Sequence, residues 1–191
     1  MNRARPRRPR RVQLSTPGSS ETMMQKAAAS NADHVFLDLE DAVAPNQKVA
    51  ARAKIVHALT SLDWGRKTRC VRINDLTTEY AYDDVVEVVE GAGDCLDTLM
   101  MTKVTSASDI EFLDRLLTML EKKHRLTRQI GIEALIEEVE GLQHVEEIAA
   151  AYAEAEAQGL GAVKVDGVMV DAATIRLLRA SILDKGRLFG M

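Results

Sequence analysis

The chain has 191 residues, 46% of them hydrophobic, which is enough for one domain with a substantial core. Its formal net charge of −4 argues against a protein dedicated to binding nucleic acid. The sequence has no apolar run near the roughly 20 residues that span a bilayer and no apolar signal-peptide core, so we expect a cytoplasmic protein without membrane contact.

The first eleven residues, MNRARPRRPRR, hold six arginines and two prolines. Such a segment can neither bury apolar surface nor form a stable helix, so we predict a disordered basic arm over 1–11. Arg11 adjoins the first predicted strand and is the residue of the arm that we expect to be ordered. Two interpretations stay open, because the arm could contact phosphate groups or simply be solvated.

From residue 12 the chain alternates between short apolar or β-branched runs and segments with helical spacing. This alternation predicts a parallel sheet covered by helices. The serines of SSETM and SASDIE predict helix N-caps. The predicted strands cover 12–16, 34–39, 69–73, 98–104 and 130–136. The predicted helices cover 19–31, 46–62, 79–92, 107–125 and 140–157.

Two α/β architectures fit this order, a doubly wound open sheet and a TIM (β/α)8 barrel. A dinucleotide-binding open sheet should have a glycine-rich turn after its first strand, whereas the turn STPGSSE has one glycine. Polar side chains instead recur at the C-terminal ends of successive strands, where barrel enzymes keep their chemistry. These residues are Asp38, Glu40, Asp41, Arg72, Asn74, Lys103, Glu133 and Glu137. We therefore predict a partial TIM barrel over 12–157, with about five βα units.

The stretch HVFLDLEDAV places three carboxylates at the end of an apolar strand. Asp38, Glu40 and Asp41 would repel one another if they were buried without partners. They could be neutralised by an arginine of the next strand and by a divalent cation held among the strand ends. Alternatively, they could cap the following helix and pair with Lys48 and Arg52 on its surface.

Several segments resemble the family of citrate lyase β-subunits and malyl-CoA lyases, the HpcH/HpaI aldolase family. The matching pieces are STPGSSETMMQKAAASNADHVFLDLEDAVAPNQKVAAR, CVRIN, TKV and IGIEALIEEVEGL, in family order and spacing over about residues 11–150. The segments DWGRKTRCVRIN and DDVVEVVEGAGDCLD are most similar to the malyl-CoA and β-methylmalyl-CoA lyase branch. The resemblance implies a lyase on a TIM barrel that depends on Mg²⁺ (or Mn²⁺).

The reaction that the resemblance implies is reversible cleavage of a 3-hydroxyacyl-CoA into glyoxylate and acetyl-CoA or propionyl-CoA. Glu137 in LIEEVEG matches the family's metal-binding glutamate, with a solvated residue as the alternative. Arg72 in VRIN matches the arginine that holds the substrate carboxylate, with a structural ion pair as the alternative. Glu40 and Asp41 match acids that orient the waters of the metal and Arg72.

A basic pair in NQKVAAR, Lys48 and Arg52, matches residues that could meet the phosphates of CoA. Arg11 in the basic arm is a further candidate for substrate binding. A solvated helix face would explain the pair equally well.

The segment AEAEAQGLGAVKVDGVMVDAATIRLLRASI resembles the closing segment of the family, which offers an acid to the active site of a neighbouring subunit as the general acid/base. Asp171 occupies that place, although it could instead be a helix N-cap. KVDGV is typical of a hairpin turn. We expect 158–191 to dock on a neighbouring subunit of a homo-oligomer, a trimer or hexamer.

One departure from the family concerns length. A (β/α)8 barrel typically needs about 250 residues, whereas this chain passes from its fifth unit almost directly to the closing segment. The family's metal-binding aspartate is missing from its expected place, and Asp166 has a similar context only. Either the chain is an internally shortened relative or the sequence omits part of a longer protein. Two alternatives to the lyase therefore stay open: a metal-dependent aldolase acting on a free 2-oxo acid, and a catalytically inactive relative serving as a subunit or binding partner.

Overall fold

The computed structural model describes residues 10–157, 162–165 and 168–170. Within these residues the strands are β1 (Gln13–Pro17), β2 (His34–Asp38), β3 (Thr68–Arg72), β4 (Thr98–Met101), β5 (Gly131–Ile136), β6 (Ala162–Val165) and β7 (Val168–Val170). The α-helices are α1 (Glu21–Ala29), α2 (Lys48–Ser61), α3 (Ala81–Ala92), α4 (Ala107–His124), α5 (Val139–Gln143) and α6 (Val145–Ala157). The order confirms the predicted alternation of strands and helices.

The strands form one sheet in the order β1-β2-β3-β4-β5-β6-β7. Neighbours from β1 to β6 run parallel, and β7 is antiparallel to β6. Parallel pairing brings the C-terminal ends of β1 to β5 together along one end of the sheet, which we call its C-terminal edge. Asp38 and Arg72 are direct partners across β2 and β3, so their side chains start side by side.

The two faces of the sheet differ because successive side chains of a strand point to opposite sides. One face packs on the helices and forms the main apolar core, which includes Val35, Leu37, Val71, Leu99 and Ile132, all buried. The other face carries a small separate apolar cluster of Phe36, Cys70 and Met100. The polar side chains His34, Asp38, Arg72 and Glu133 follow the same alternation and lie on this second face.

Helix starts follow the predicted caps. The Ser20 hydroxyl accepts a hydrogen bond from the Met23 amide at 3.4 Å at the start of α1. The Asp109 carboxylate accepts from the Ser106 amide at 2.9 Å and completes a capping box at the start of α4. These local bonds satisfy amides that have no partner inside the helix.

Two predicted elements were too long. The fourth strand ends at Met101 rather than at residue 104, because Lys103 adopts a left-handed conformation with φ of 51°. The helix predicted over 140–157 is divided into α5 and α6 at His144, whose φ and ψ of −101° and 13° are not helical.

The hairpin predicted around KVDGV is confirmed by the antiparallel pairing of β6 with β7. However, β6 pairs in parallel with β5 of the same chain, so these strands belong to this chain's own sheet, whereas the sequence had assigned them to a segment docking on a neighbour. Residues 171–191 lie outside the described residues, as does Asp166. The described helices include none that is both long and apolar enough to cross a membrane.

Candidate active site

The C-terminal edge of the sheet gathers charged side chains from four neighbouring strands. Glu40 follows β2, Arg72 ends β3, Lys103 follows β4 and Glu137 follows β5. The sequence predicted this convergence from strand-end positions. The structure adds which groups touch.

Asp38 and Arg72 form the buried centre of this cluster. The Arg72 Nε donates to Asp38 Oδ1 at 2.8 Å and a terminal nitrogen donates to Oδ2 at 2.5 Å. Asp38, which is 0% exposed, also accepts from the amides of Glu40 at 2.8 Å and Ala42 at 3.0 Å. Four donors thus compensate one buried carboxylate, and the structural ion pair foreseen as an alternative role of Arg72 is present.

Glu40 lies between two cations. Its Oε1 accepts from Lys103 Nζ at 3.0 Å, and its Oε2 lies 3.1 Å from Arg72 NH1. Oε2 is buried, and the geometry of the Arg72 contact does not make a hydrogen bond, so this oxygen has no hydrogen-bond partner within the described residues. This buried oxygen is therefore held by the charge of Arg72 rather than by a hydrogen bond.

Glu137 stands at the open side of the cluster and is exposed. Its Oε1 accepts from the Lys103 amide at 3.1 Å. Partial desolvation, together with the nearby charge of Glu40, raises the pKa of Glu137, while the Lys103 amide and the cations oppose that shift. The hydrogen bond to Glu40 raises the pKa of Lys103, which is therefore an ammonium at neutral pH.

The donor set at this edge fits a hard divalent cation such as Mg²⁺. Glu137 offers a carboxylate oxygen at the solvent side, and Glu40 and Asp41 bring further carboxylates to the same strand ends. Mg²⁺ prefers oxygen ligands and keeps several waters, so one or two carboxylates suffice to hold it. Glu137 would hold the ion, and Glu40 and the exposed Asp41 would orient its waters.

Lys48 and Arg52 are not on a solvated helix face, so that alternative is wrong. Lys48 Nζ donates to the carbonyl oxygens of Leu39 and Glu40 at 2.9 and 2.8 Å and to Asn74 Oδ1 at 2.6 Å. Both side chains are buried, and these bonds tie the turn after β2 to the end of β3. Their predicted contact with CoA phosphates would require breaking this buried network, so the geometry disfavours it.

Asp84 on α3 is the centre of that network and was not singled out from the sequence. Its Oδ1 accepts from Arg52 Nε at 2.8 Å, and its Oδ2 accepts from Asn74 Nδ2 at 2.6 Å and from the Asn74 amide at 3.0 Å. Asp84 is 0% exposed. The sequence signal available was a carboxylate at a position of α3 that the helical period places on its apolar face.

Arg11 lies near the N-terminal ends of the strands, at the opposite end of the sheet from the cluster. It pairs with Asp33, just before β2, through hydrogen bonds of 2.9 and 3.0 Å on the exposed surface. Its predicted contact with substrate is therefore not supported by its position. Asp171 falls outside the described residues, and its predicted role stays a prediction.

A second polar cluster lies on the same face near the N-terminal ends of the strands. Potential ligand atoms of His34, Cys70 and Glu133 lie within 4.8 Å of one another. Glu133 accepts from Arg10 at 3.1 Å and from the Thr98 hydroxyl at 2.7 Å, so its charge is already compensated. Burial, followed by the Glu133 charge, raises the pKa of the Cys70 thiol well above its usual range. This set does not suit Mg²⁺, and Glu133 lies within β5, three residues before the strand end to which the sequence had assigned it.

A cleft opens beside Lys103 between the loops that follow β3, β4 and β5, with a cavity volume of about 270 Å³. Asp75, Thr77, Thr102 and Glu138 line it together with Lys103. The Thr102 hydroxyl is buried and has no hydrogen-bond partner among the described residues. The cleft therefore borders the charged cluster and carries polar groups that a ligand or water could satisfy.

Comparison with known proteins places this edge in a family context. The model of the HpcH/HpaI aldolase/citrate lyase family matches residues 11–174. An L-malyl-CoA/β-methylmalyl-CoA lyase of Cereibacter sphaeroides is 48% identical over 159 residues, which cover 83% of this chain and 50% of that protein. The chain thus spans about half the length of the curated relatives it matches.

Solved structures show the same relationship. The protein CitE of Mycobacterium tuberculosis, in complex with magnesium and acetoacetate, has a TM-score of 0.57 and 32% identity, over 95% of this chain and 72% of that chain. A Haloferax volcanii malate synthase in a magnesium/glyoxylate complex has a TM-score of 0.61 at 18% identity, over 68% of this chain and 43% of that chain, and shows the fold alone. These neighbours confirm the TIM barrel-like fold, and the chain belongs to the HpcH/HpaI aldolase/citrate lyase family.

Proposed function

We propose that the protein is a carbon–carbon lyase that cleaves a malyl-CoA or β-methylmalyl-CoA ester reversibly to glyoxylate and acetyl-CoA or propionyl-CoA, with Mg²⁺ or Mn²⁺ as cofactor. The observation that carries the proposal is the convergence of Arg72, Glu40, Lys103 and Glu137 at one edge of the sheet. Its support is the 48% identity to a lyase of that name.

Arg72 would hold the carboxylate of glyoxylate. Asp38 uses one N–H of Nε and one N–H of a terminal nitrogen, and Glu40 lies beside the other terminal nitrogen. A guanidinium has five N–H donors, so at least two remain for a substrate carboxylate. Asp38 and Glu40 fix the plane of the guanidinium, which reduces the entropy lost when substrate binds.

The metal, when bound at Glu137, would supply Lewis-acid polarisation of the substrate carbonyl oxygen. Glu40 and Asp41 would orient the waters around it. Asp171 would move the proton at the acyl carbon as general acid/base, from a neighbouring subunit of a trimer or hexamer. At the described C-terminal edge, the chain's own residues would bind the substrate carboxylate, hold the cation and determine the net charge of the site.

The test is an assay of the purified 191-residue chain with malyl-CoA and Mg²⁺, in which released glyoxylate is trapped as its phenylhydrazone. We expect glyoxylate release that depends on Mg²⁺ and is lost in Glu137→Gln. A matched assay with a free 4-hydroxy-2-oxo acid separates the lyase from an aldolase acting on free 2-oxo acids. Activity on the free acid alone would contradict the proposal.

A second candidate, a catalytically inactive relative that acts as a subunit or binding partner, is favoured by one observation. Within the described residues the sheet is open, with β1 and β7 as its edge strands, and an open edge strand can pair with another chain. A folded chain that binds Mg²⁺ and glyoxylate but cleaves neither class of substrate would support this second candidate.

A further inference from the structure

We propose that Lys103 sets the relative affinity of the site for cation and anion. Its ammonium lowers the affinity for the divalent ion and raises the affinity for the anionic substrate. The inference rests on the proposed function, because it concerns the ion and the carboxylate that the lyase would bind. It assigns Lys103 a specificity-determining role that its position at a strand end alone does not predict.

The backbone of Lys103 is the first observation. Its φ of 51° is left-handed, which is costly for a residue with a side chain. Within the described residues, Arg125 also has a positive φ, but it caps the C-terminus of α4, a usual place for that conformation. Lys103 caps no helix, and strain of this kind collects at functional sites.

In this strained turn, the backbone amide and the ammonium of Lys103 each donate a hydrogen bond to a carboxylate. The amide donates to Glu137 Oε1 at 3.1 Å, and Nζ donates to Glu40 Oε1 at 3.0 Å. Gly141 at α5 packs so closely on the carbonyl of the next residue, Val104, that a side chain at position 141 would collide with it. Lys103 therefore contacts Glu137 and Glu40, two of the three acids that the proposed function places at the metal.

The charge balance of the cluster is the second observation. Asp38, Glu40, Asp41 and Glu137 bring four carboxylates, whereas Arg72 and Lys103 bring two fixed cations. The ammonium of Lys103 lies beside the carboxylates that would hold the divalent ion, so it repels that ion and attracts an anionic substrate. Without Lys103 the cluster would bind the ion more tightly and the anion more weakly.

The experiment measures Mg²⁺ binding and then glyoxylate binding at saturating Mg²⁺, by isothermal titration calorimetry on the full chain. Lys103→Met keeps a side chain of similar length but removes the charge. We expect it to bind Mg²⁺ about three- to tenfold more tightly and glyoxylate about three- to tenfold more weakly, the scale of one charge acting through water over several ångströms.

Two controls isolate the charge. Lys103→Arg restores a cation and should return both affinities toward the wild-type values. Lys123→Met removes an equivalent surface ammonium, which pairs with Glu90 at 2.7 Å between α3 and α4, and should change neither affinity. Circular dichroism of each variant checks that the fold is kept.

The inference predicts that Lys103→Met changes the Mg²⁺ and glyoxylate affinities in opposite directions, and this distinguishes it from the other outcomes. If Lys103 only supports the structure, Lys103→Met lowers the affinity for both ligands. If Lys103 has no role, neither affinity changes. Either result overturns the inference and leaves the proposed lyase activity standing. A wild-type chain that binds no Mg²⁺ would overturn the metal site of the proposed function and this inference with it.

Discussion

Replacing Asp38 with asparagine tests whether the buried carboxylate organises the site. An asparagine keeps one carbonyl oxygen, but its amide group would replace either Oδ1 or Oδ2. Each of those oxygens accepts from one backbone amide and from one Arg72 nitrogen. Whichever way the side chain is turned, two donors would face a donor, and Arg72 would lose its main counter-charge.

The expected cost is large because Asp38 is fully buried. Removing one partner of a buried ion pair typically costs about 3–5 kcal/mol, a sizeable part of the roughly 5–15 kcal/mol that stabilises a domain. For a chain of this size each kcal/mol lowers Tm by about 2–4 °C, so we expect a fall of about 10 °C.

The assay is urea unfolding followed by far-UV circular dichroism, together with the thermal midpoint. Asp41→Asn is the matched control, since it makes the same change three residues later at an exposed position, and it should stay within about 0.5 kcal/mol of wild type. If Asp38→Asn differed from this control by less than about 1 kcal/mol, the reasoning on buried charge would be refuted.

Further predictions concern Glu137, Arg72, Cys70 and Asp171. Glu137→Gln should abolish Mg²⁺ binding by calorimetry without changing the circular dichroism spectrum, since the residue is exposed. In the wild type, the raised pKa of Glu137 means that this residue takes up its proton at a higher pH than an ordinary glutamate. The affinity for Mg²⁺ should therefore weaken as the pH falls towards that pKa. A Mg²⁺ affinity that is independent of pH would count against Glu137 as a ligand. Arg72→Lys keeps the charge but loses the planar fork, so glyoxylate affinity or turnover per folded molecule should fall at least about tenfold; a lower Tm with unchanged kinetics would leave Arg72 a structural role only. Native alkylation followed by mass spectrometry should leave the buried Cys70 unmodified, and its stoichiometric labelling would contradict the raised pKa. Mixing Asp171→Asn with Arg72→Ala subunits should restore part of the activity if sites are shared, and exchange without recovery would rule out Asp171 acting across the interface.

The sequence by itself determined the fold class and the edge of the sheet where the chemistry lies. Hydrophobic periodicity is a local property, so the five βα units and the caps at Ser20 and Ser106 could be predicted from short windows. Parallel pairing then follows from the alternation, and it places Glu40, Arg72 and Glu137 at one edge.

Which charges meet was decided by the tertiary structure. Lys48 and Arg52 look like a solvated basic pair in the sequence, because helical spacing alone cannot reveal that Asn74 and Asp84, more than twenty residues away, provide buried partners. Burial changes the energetics of such residues, since a charge that is removed from water must be compensated by neighbours.

Lys103 and the hairpin show the same dependence on long-range contacts. The left-handed turn at Lys103 aims its amide at Glu137 and its ammonium at Glu40, two groups brought near only when β2, β4 and β5 lie in one sheet. The pattern of KVDGV predicted a hairpin but not its neighbour, and the pairing of β6 with β5 set its place. Strand order and ion-pair choice depend on packing between distant segments, which no local pattern encodes.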